Sequence, residues 1–567
     1  MAPRARSSHD WWRDAVVYQV YPRSFADSTG DGIGDIPGLI DRLDYLVDLG
    51  VDAIWISPFY TSPLNDGGYD VEDYRSIDAR LGTMADVDRL VEQAHARDIK
   101  VIMDIVPNHT SSEHPWFKEL LAAGPGSREW DRYVVREGKG PDREEPPNNW
   151  RSVFHGRGWS HIRDAAGHPT GYWYLHLFDT TQPDLNWENP EVRAEFVDIL
   201  RFWFDRGIDG FRIDVAHGLV KEEGLPDFDY TVPDEQKHQG MFDEDSAHAP
   251  FWDQDGLHDI YREWRRVADE YSPPRVFCGE TWVPNPVRLA RYQREDELHT
   301  SFNFDYLQAG WDEAGMRQSI DDTIANHDSV GAPPTWVLSN HDVVRHRTRL
   351  APLDEDGEPD LERGLRRARA ATLFTLALPG SMYLYQGEEL GLPEVTDLDP
   401  SVRQDPAWHR SRGTDGFRDG CRVPIPWSGE TPSYGFGPGP QSWLPQPATW
   451  ADLSVGAETG VPGSTLELYR QALRIRKAEA ALGEGPLEWL PAPEHVLAAQ
   501  RTAPDGSAVI SILNLAETAA VLPAAWGTDV VLASDDDVAE LDIDDGEISL
   551  AIGSETAVWL RQPATAP

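Results

Sequence analysis

Residues able to carry protons or negative charge stand at the ends of four apolar stretches. "GFRIDVAHG" (210–218) contains Arg212 and Asp214, two apart within an apolar run. Residues two apart on a strand share a face, so both charges lie on one side of it. A buried charge is costly unless it is paired or used. "FCGETW" (277–282) carries Glu280, "LSNHDVV" (338–344) leads to His341 and Asp342, and "DIVPNHT" (104–110) carries Asp104 and His109. A single such Asp reads as a helix N-cap or an ion-pair partner. Four in succession at strand ends read instead as one rim where acids, bases and nucleophiles gather.

The elements that must position these groups alternate in period. "AVVYQVYP" (15–22) is followed by "IPGLIDRLDYLVDLG" (36–50), where Leu39, Leu43, Leu46 and Leu49 recur at helical spacing. "AIWISP" (53–58), a helical 84–98 and "KVIMDIV" (100–106) continue the rhythm, which resumes with a helix over 190–207 and "GFRIDVA" (210–216). "RVFCGE" (275–280), "TSFNF" (300–304), "TWVLSN" (335–340) and "SMYLYQG" (381–387) bring the strand candidates to eight. Strands alternating with helices predict parallel βα units, and eight predict a (β/α)8 barrel, whose chemistry sits at the C-terminal strand ends.

Residues 107–180 and roughly 391–450 are rich in Gly, Pro and Trp, lack periodicity, and are too long for ordinary loops. The predicted α/β architecture is a (β/α)8 TIM barrel over 10–106 and 181–482, interrupted by an inserted subdomain at 107–180 after the third strand. The long insertion near 391–450 lies within the barrel. Short β runs after a helix at 464–481 predict a C-terminal antiparallel β-sandwich over 483–567.

Bulk properties narrow the partners. The 567-residue chain carries 97 Asp and Glu against 51 Lys and Arg, a formal charge of −46, which repels nucleic acid and anionic membranes. No stretch approaches a membrane span, and the basic start "MAPRARSSHDWWRDAVVYQ" lacks the apolar core of a signal peptide. Cys278 and Cys421 form no metal-type or redox-type spacing and are expected as reduced thiols in a cytoplasmic protein. The 22 tryptophans offer flat faces for sugars, but core packing is the reading for most of them.

"DIVPNH" (104–109), "GFRIDVAH" (210–217), "GETW" (279–282) and "SNHD" (339–342) together resemble the four ordered signature regions of the α-amylase family, glycoside hydrolase family 13. "QPDLN" (182–186) is similar to the family's fifth region. "VYQVYPRSFADSTGDGIGDIPGL" near the start and "GEELG" (387–391) resemble its α-glucosidase and oligo-1,6-glucosidase branch, and the likeness runs from about residue 11 to the C-terminal sandwich. The resemblance implies Asp214 as nucleophile, Glu280 as general acid/base and Asp342 as the group that binds sugar hydroxyls, in a retaining mechanism. His109 and His341 resemble the pair that grips the same ring. Arg212, on the strand face of Asp214, is expected to favour its ionised form and lower its pKa, with Asp104 holding Arg212. Glu280, between Cys278 and Trp282, is expected in a less polar setting that keeps it protonated.

"NDGGYDVEDY" (65–74) resembles the branch's pocket segment, with Asp66 and Tyr69 as sugar-binding and stacking residues and Arg418 as the matching arginine. An Arg418–Asp66 pair would clamp a terminal glucose and give exo cleavage; an Asx turn in a Gly-rich loop is the plainer reading of Asp66. "DSTGDGIGD" (27–35) begins like an EF-hand loop, with Asp27, Thr29, Asp31, the Ile33 carbonyl and Asp35 at ligand positions, but Gly38 stands where the bidentate Glu belongs. The family resemblance implies a structural Ca²⁺ or Mg²⁺ there and no organic cofactor; the alternative is an Asx-rich turn.

Val215 after the nucleophile is associated in this branch with α-1,6 cleavage. The following "AHG" departs from that pattern, and the longer stretch resembles α-glucosidases acting on short malto-oligosaccharides. The reading taken is therefore α-1,4, on a small oligosaccharide substrate, with the oligomeric state open. His217 either borders the acceptor side or caps the strand end. A transglucosylase or isomerase of the sucrose or trehalose type on the same scaffold stays open as an alternative, and a non-catalytic relative ranks below both.

Overall fold

The computed structural model describes residues 10–230, 249–483, 485–544 and 547–562. Eight strands form one parallel sheet: β1 (Val16–Val20), β2 (Ala53–Ile56), β3 (Lys100–Ile105), β4 (Gly210–Ile213), β5 (Val276–Gly279), β6 (Thr300–Ser301), β7 (Thr335–Val337) and β8 (Ser381–Tyr385). Neighbours follow chain order, with β8 beside β1. The ring closes where the Asn303 N–H, just past β6, donates to Thr335 O on β7 at 3.2 Å. This is the (β/α)8 barrel that the alternation predicts.

Period-2 geometry sorts the strand residues into two cores. Val17, Ala53, Trp55, Ile102, Val276, Cys278, Val337 and Tyr383 pack together inside the barrel. Their alternates, among them Tyr18, Ile54, Val101, Met103, Phe211, Phe277 and Leu384, face the surrounding helices. By that parity Asp104, Arg212, Asp214 and Glu280 belong to the inner series. The helices stop and start on local signals. Thr83 and Asp86 make a capping box for Met84–His95, and Gly50, at φ 98°, ends the helix Leu43–Leu49. β6 is shorter than its apolar run because Asn303 accepts the Tyr306 N–H and caps the helix Phe304–Gln308.

Residues 107–180 hold a three-stranded antiparallel sheet of Val135–Glu137, Pro169–Leu175 and Trp159–Arg163. Its aromatic core of Trp150, Phe154, Trp159, Trp173 and Phe178 reaches Phe251 and Trp252 next to the barrel rim. After the helix Thr465–Ala478 come a five-stranded and a three-stranded antiparallel sheet. Val496, Ile510, Ile512, Val558 and Leu560 face Leu522, Leu550 and Ile552 across the two sheets. Alternate residues Leu497, Val509, Leu513 and Trp559 join the main core instead. Both faces of the five-stranded sheet are therefore covered, which explains its nearly continuous apolar runs. No helix among the described residues is long and apolar enough to cross a membrane. The first nine residues, on which part of the signal-peptide reading rests, lie outside the described residues.

Trp559 is fully buried, and its Nε1–H donates to Leu373 O at 3.0 Å on the helix Leu361–Leu376. Trp559→Ala removes that bond and opens a cavity between sheet and barrel. It is expected to cost about 3–5 kcal/mol, read as a lower denaturant midpoint, whereas Trp559→Phe should recover most of the loss.

Candidate active site

β4 carries Arg212 into the barrel and ends at Asp214, and register with β3 and β5 brings Asp104 and Glu280 to the same guanidinium. Arg212 Nη1 lies 2.8 Å from Asp104 Oδ1 and 2.7 Å from Asp214 Oδ1, and Nη2 lies 2.8 Å from Glu280 Oε2. All four side chains are buried, so one cation serves three carboxyl groups where charges are poorly screened. Trp55 Nε1 and Tyr69 OH donate to the other Asp104 oxygen at 3.1 and 3.0 Å. Burial raises the Asp104 carboxyl to about 6 against the pull of Arg212.

Burial also raises the Asp214 carboxyl well above the usual carboxylate range; Arg212 opposes the rise, and Glu280 and Asp104 add to it. Arg212 thus lowers the Asp214 pKa as expected, but the net shift is upward. The guanidinium pulls in the expected sense, but desolvation outweighs a charge that is shared three ways. Glu280 does not sit in the less polar niche expected of it either. Beyond Arg212, its Oε2 accepts the Val215 N–H at 2.9 Å and its Oε1 accepts the Trp282 Nε1–H at 3.0 Å. Val215 has φ +46°, a costly conformation for a β-branched residue, and in it the N–H points at Glu280.

A second cluster gathers on Asp342. Arg418 Nη1 and Arg422 Nη2 lie 3.2 and 2.7 Å from its Oδ1, and His341 Nε2 lies 3.2 Å from Oδ2. Against its burial, His341, Arg422 and Arg418 hold the Asp342 carboxyl well below the usual range, so it stays ionised. Arg418 Nη2 also reaches Asp66 Oδ1 at 3.0 Å, and Asp405 grips Arg418 through Nε and Nη2 at 3.0 and 2.9 Å. The fork of two parallel bonds fixes the guanidinium plane. Gln182 Nε2 bridges Asp66 Oδ2 and His109 Nε2 at 3.0 and 3.1 Å.

The two clusters open onto one cavity of about 520 Å³ lined by Asp66, Tyr69, His109, Asp214, Glu280, Asp342 and Arg418, with Phe154 and Phe178 beside them. Arg212 and His341, expected to bind substrate directly, do not line it. Arg212 lies beneath the carboxyls it joins, and His341 lies behind Tyr69, whose ring stacks on it at 5.2 Å. Both position the lining groups. His341 is pushed down to about 3 by burial. No tryptophan lines the cavity, in keeping with the packing reading of that residue type. His217 packs on Trp252 at 4.7 Å and contacts Glu280 O and the Trp282 N–H, both at 3.4 Å, so it tidies the strand end.

Three contributors escaped the sequence reading. Asp405, in "QDPAW", carries the signal of a helix N-cap, and it does cap Pro406–Ser411 by accepting the Ala407 N–H. Arg422 sits one short turn after Arg418, and Gln182 lies within a quoted motif without a role assigned to it. In the loop read as a cation site, Asp27 accepts the N–H groups of Thr29, Gly30 and Gly32 at 2.9, 2.7 and 2.9 Å. Asp35 accepts those of Ser28 and Gly38 at 3.0 and 2.6 Å, and Asp31 that of Ile33 at 2.9 Å. Among the described residues, no group of three or more His, Cys, Asp or Glu is gathered to hold a metal ion. Gly38 is required by packing, since a Cβ there would run into Ala26 O.

A closed parallel barrel whose C-terminal rim gathers bridged carboxyls in one pocket defines the class of barrel enzymes whose sites are built on carboxyl groups. Residues 19–485 match the model of the alpha amylase catalytic domain. A probable alpha-glucosidase of Rhizobium meliloti is 36% identical over 533 residues, covering 90% of each chain. An oligo-1,6-glucosidase of Parageobacillus thermoglucosidasius is 35% identical over 504 residues, covering 82% of this chain and 84% of its own. The crystal structure of the alpha-glucosyl transfer enzyme XgtA superposes with a TM-score of 0.83 at 35% identity, covering 99% of this chain and 100% of that one. The chain belongs to the α-amylase family, glycoside hydrolase family 13.

Arg212→Met removes the shared cation, so that Asp104 and Asp214, already raised by burial, take up protons at still higher pH. A carboxyl whose pKa rises on folding lends stability at low pH and loses it as pH climbs through the folded value. Asp104 already behaves so up to about 6. The Tm deficit of Arg212→Met is therefore expected to widen between pH 6 and pH 8; a deficit that ignores pH contradicts the shared-cation account.

Proposed function

We propose that the protein is a retaining exo-α-glucosidase, releasing α-glucose from the non-reducing end of maltose and short malto-oligosaccharides. The observation that carries this reading is the Arg418–Asp66 pair, fixed by Asp405, in the same cavity as the bridged Asp214 and Glu280. Such a clamp holds the last sugar of a chain and leaves no path for the chain to continue past it. Two carboxyls joined by one guanidinium suit the short separation of about 5–5.5 Å that retaining enzymes use.

In this reading Asp214 attacks the anomeric carbon while Glu280 protonates the glycosidic oxygen, and the leaving sugar departs. Glu280 then takes a proton from water, whose oxygen displaces Asp214 from the glucosyl ester and restores the α-configuration. Asp342, held ionised, accepts hydrogen bonds from ring hydroxyls, contacts that strengthen as the ring flattens. Tyr69 and His109 line the same sugar, with Arg212 and His341 holding the lining groups from behind. Val215 and the oligo-1,6-glucosidase relative favour isomaltose-type substrates as a second reading, and the likeness to a glucosyl transfer enzyme favours transfer as a third. A cytoplasmic setting belongs to the proposal, supported by two buried cysteines without a disulfide.

The test is NMR of the first product from maltose, isomaltose, sucrose and trehalose. α-Glucose from maltose is expected; β-glucose contradicts retention, and mainly transferred or isomerised products contradict hydrolysis. Glu280→Gln should lower kcat/KM by about 10²–10⁴-fold.

We also propose a structural Ca²⁺ or Mg²⁺ held by Asp27, Thr29, Asp31, the Ile33 carbonyl and Asp35. Its support is the loop spacing and the family resemblance, while the Asp27 and Asp35 side chains turn to backbone N–H groups. A chelator is expected to lower Tm by several degrees, with recovery on adding Ca²⁺; an unchanged Tm overturns the ion.

A further inference from the structure

The loop that brings Asp66 and Tyr69 to the floor of the cavity leaves the barrel after β2. The antiparallel pairing of Tyr60–Thr61 with Asp73–Ile77 closes its base. Its own sequence leaves Asp66 free to move. Gly67 and Gly68 follow at φ +62° and +112°, the region open to glycine, and Leu64, two residues before, stands at φ +63°. A leucine in that region is strained and stays there only where its neighbours hold it.

The holder is Asp70, which is fully buried. Its Oδ1 accepts the Ser62 hydroxyl at 2.8 Å and the Asp66 N–H at 3.2 Å, and its Oδ2 accepts the Asn65 N–H at 2.9 Å. The Ser62 hydroxyl in turn accepts the Leu64 N–H at 2.9 Å, so the peptide groups on both sides of Leu64 are tied. Ser62 is anchored from outside. Its N–H donates to Asp78 Oδ2 at 3.2 Å, and its carbonyl accepts Arg80 Nη2 at 2.6 Å. Asp66 therefore has its backbone N–H on Asp70 while its two carboxylate oxygens meet Arg418 and Gln182, each at 3.0 Å.

A carboxylate carries no proton and has lone pairs to spare, so it holds three donors at once. An amide of the same shape turns N–H groups to one side, where a donor would face a donor. The turn would then relax at Leu64 and carry Asp66 away from Arg418, and a displacement of about 1 Å is enough to spoil such a clamp.

We propose that Asp70 is a positioning residue of the glucose site: its carboxylate fixes the backbone at Asp66 and so aims the Asp66 carboxylate at Arg418 and the terminal sugar. The inference rests on the proposed glucose site, and the two fail in different ways.

Turnover is measured on whichever of maltose, isomaltose, sucrose and trehalose the protein cleaves. A clamp grips the sugar in ground and transition states alike, so loosening it raises KM and spares kcat. Asp70→Asn is expected to raise KM about tenfold, the effect of one charge-assisted hydrogen bond lost from the clamp, with kcat within about twofold of the parent. Ser62→Ala removes one of the three donors and is expected to raise KM about threefold in the same manner. In the Asp66→Ala background, Asp70→Asn should lower kcat/KM by less than about twofold, because the residue it acts through is gone. A lower kcat at unchanged KM marks general damage to the loop and overturns the proposal, as does a tenfold loss that persists with Asp66→Ala. Should Asp70→Asn not fold, an unchanged KM in Ser62→Ala overturns it. Cleavage of none of the four sugars by the unmodified protein overturns the glucose-site reading and the inference with it. Cleavage with a KM that ignores Asp70→Asn overturns the inference alone.

Discussion

The whole site depends on one buried cation. Arg212 is the common partner of Asp104, Asp214 and Glu280, which approach it from three adjacent strands. Without a guanidinium between them, carboxyls so close in a dry interior could not all ionise. With it, three carboxyls still share one positive charge, and burial leaves Asp104 and Asp214 holding protons to a higher pH than isolated carboxyls do. A reaction that needs one carboxyl as acid and another as nucleophile calls for that partial protonation. Arg212 thus does more than steady one aspartate: it sets how much negative charge the rim tolerates.

Barrel and insertions divide the remaining work. The barrel strands fix the carboxyls bridged by Arg212 on rigid backbone, and the insertions supply the walls. Residues 107–180 contribute Val153, Phe154 and Phe178, and the irregular stretch after β8 contributes Asp415, Phe417 and Arg418 to the cavity. The two insertions hold each other directly. His155 pairs with Asp415 at 2.8 Å, and Arg410 donates to His155 O at 3.1 Å and to Asp179 Oδ1 at 3.3 Å. Phe154, next to His155, lies 4.9 Å from the Arg418 guanidinium, so the clasp and the Arg418–Asp66 pair share a wall.

The barrel was legible because its signal is periodic: all eight apolar runs contain a strand, and parity alone put Arg212 and Asp214 on one face. Strand lengths were less legible, since a polar cap such as Asn303 ends β6 inside an apolar run. Motif-borne groups were legible as types, but their environments were not. The charge around Asp214 and Glu280 depends on strand neighbours more than sixty residues away. Asp405 was hidden for a specific reason: Asp before Pro announces a helix cap, and one oxygen performs that task while both also bind Arg418.

The floor chemistry is common to every outcome open to this scaffold. In the proposed mechanism, hydrolysis, transfer and a change of linkage would all begin with a glucosyl group on Asp214 and differ in which hydroxyl next reaches the anomeric carbon. The difference must therefore be written above the Arg212 cluster. Of the groups that line the cavity beside that cluster, Val215 has a strained backbone that also orients Glu280. Val215 is thus tied to Glu280 through its backbone N–H, so a substitution that relaxes that backbone also moves the Glu280 carboxyl, whichever hydroxyl the pocket admits.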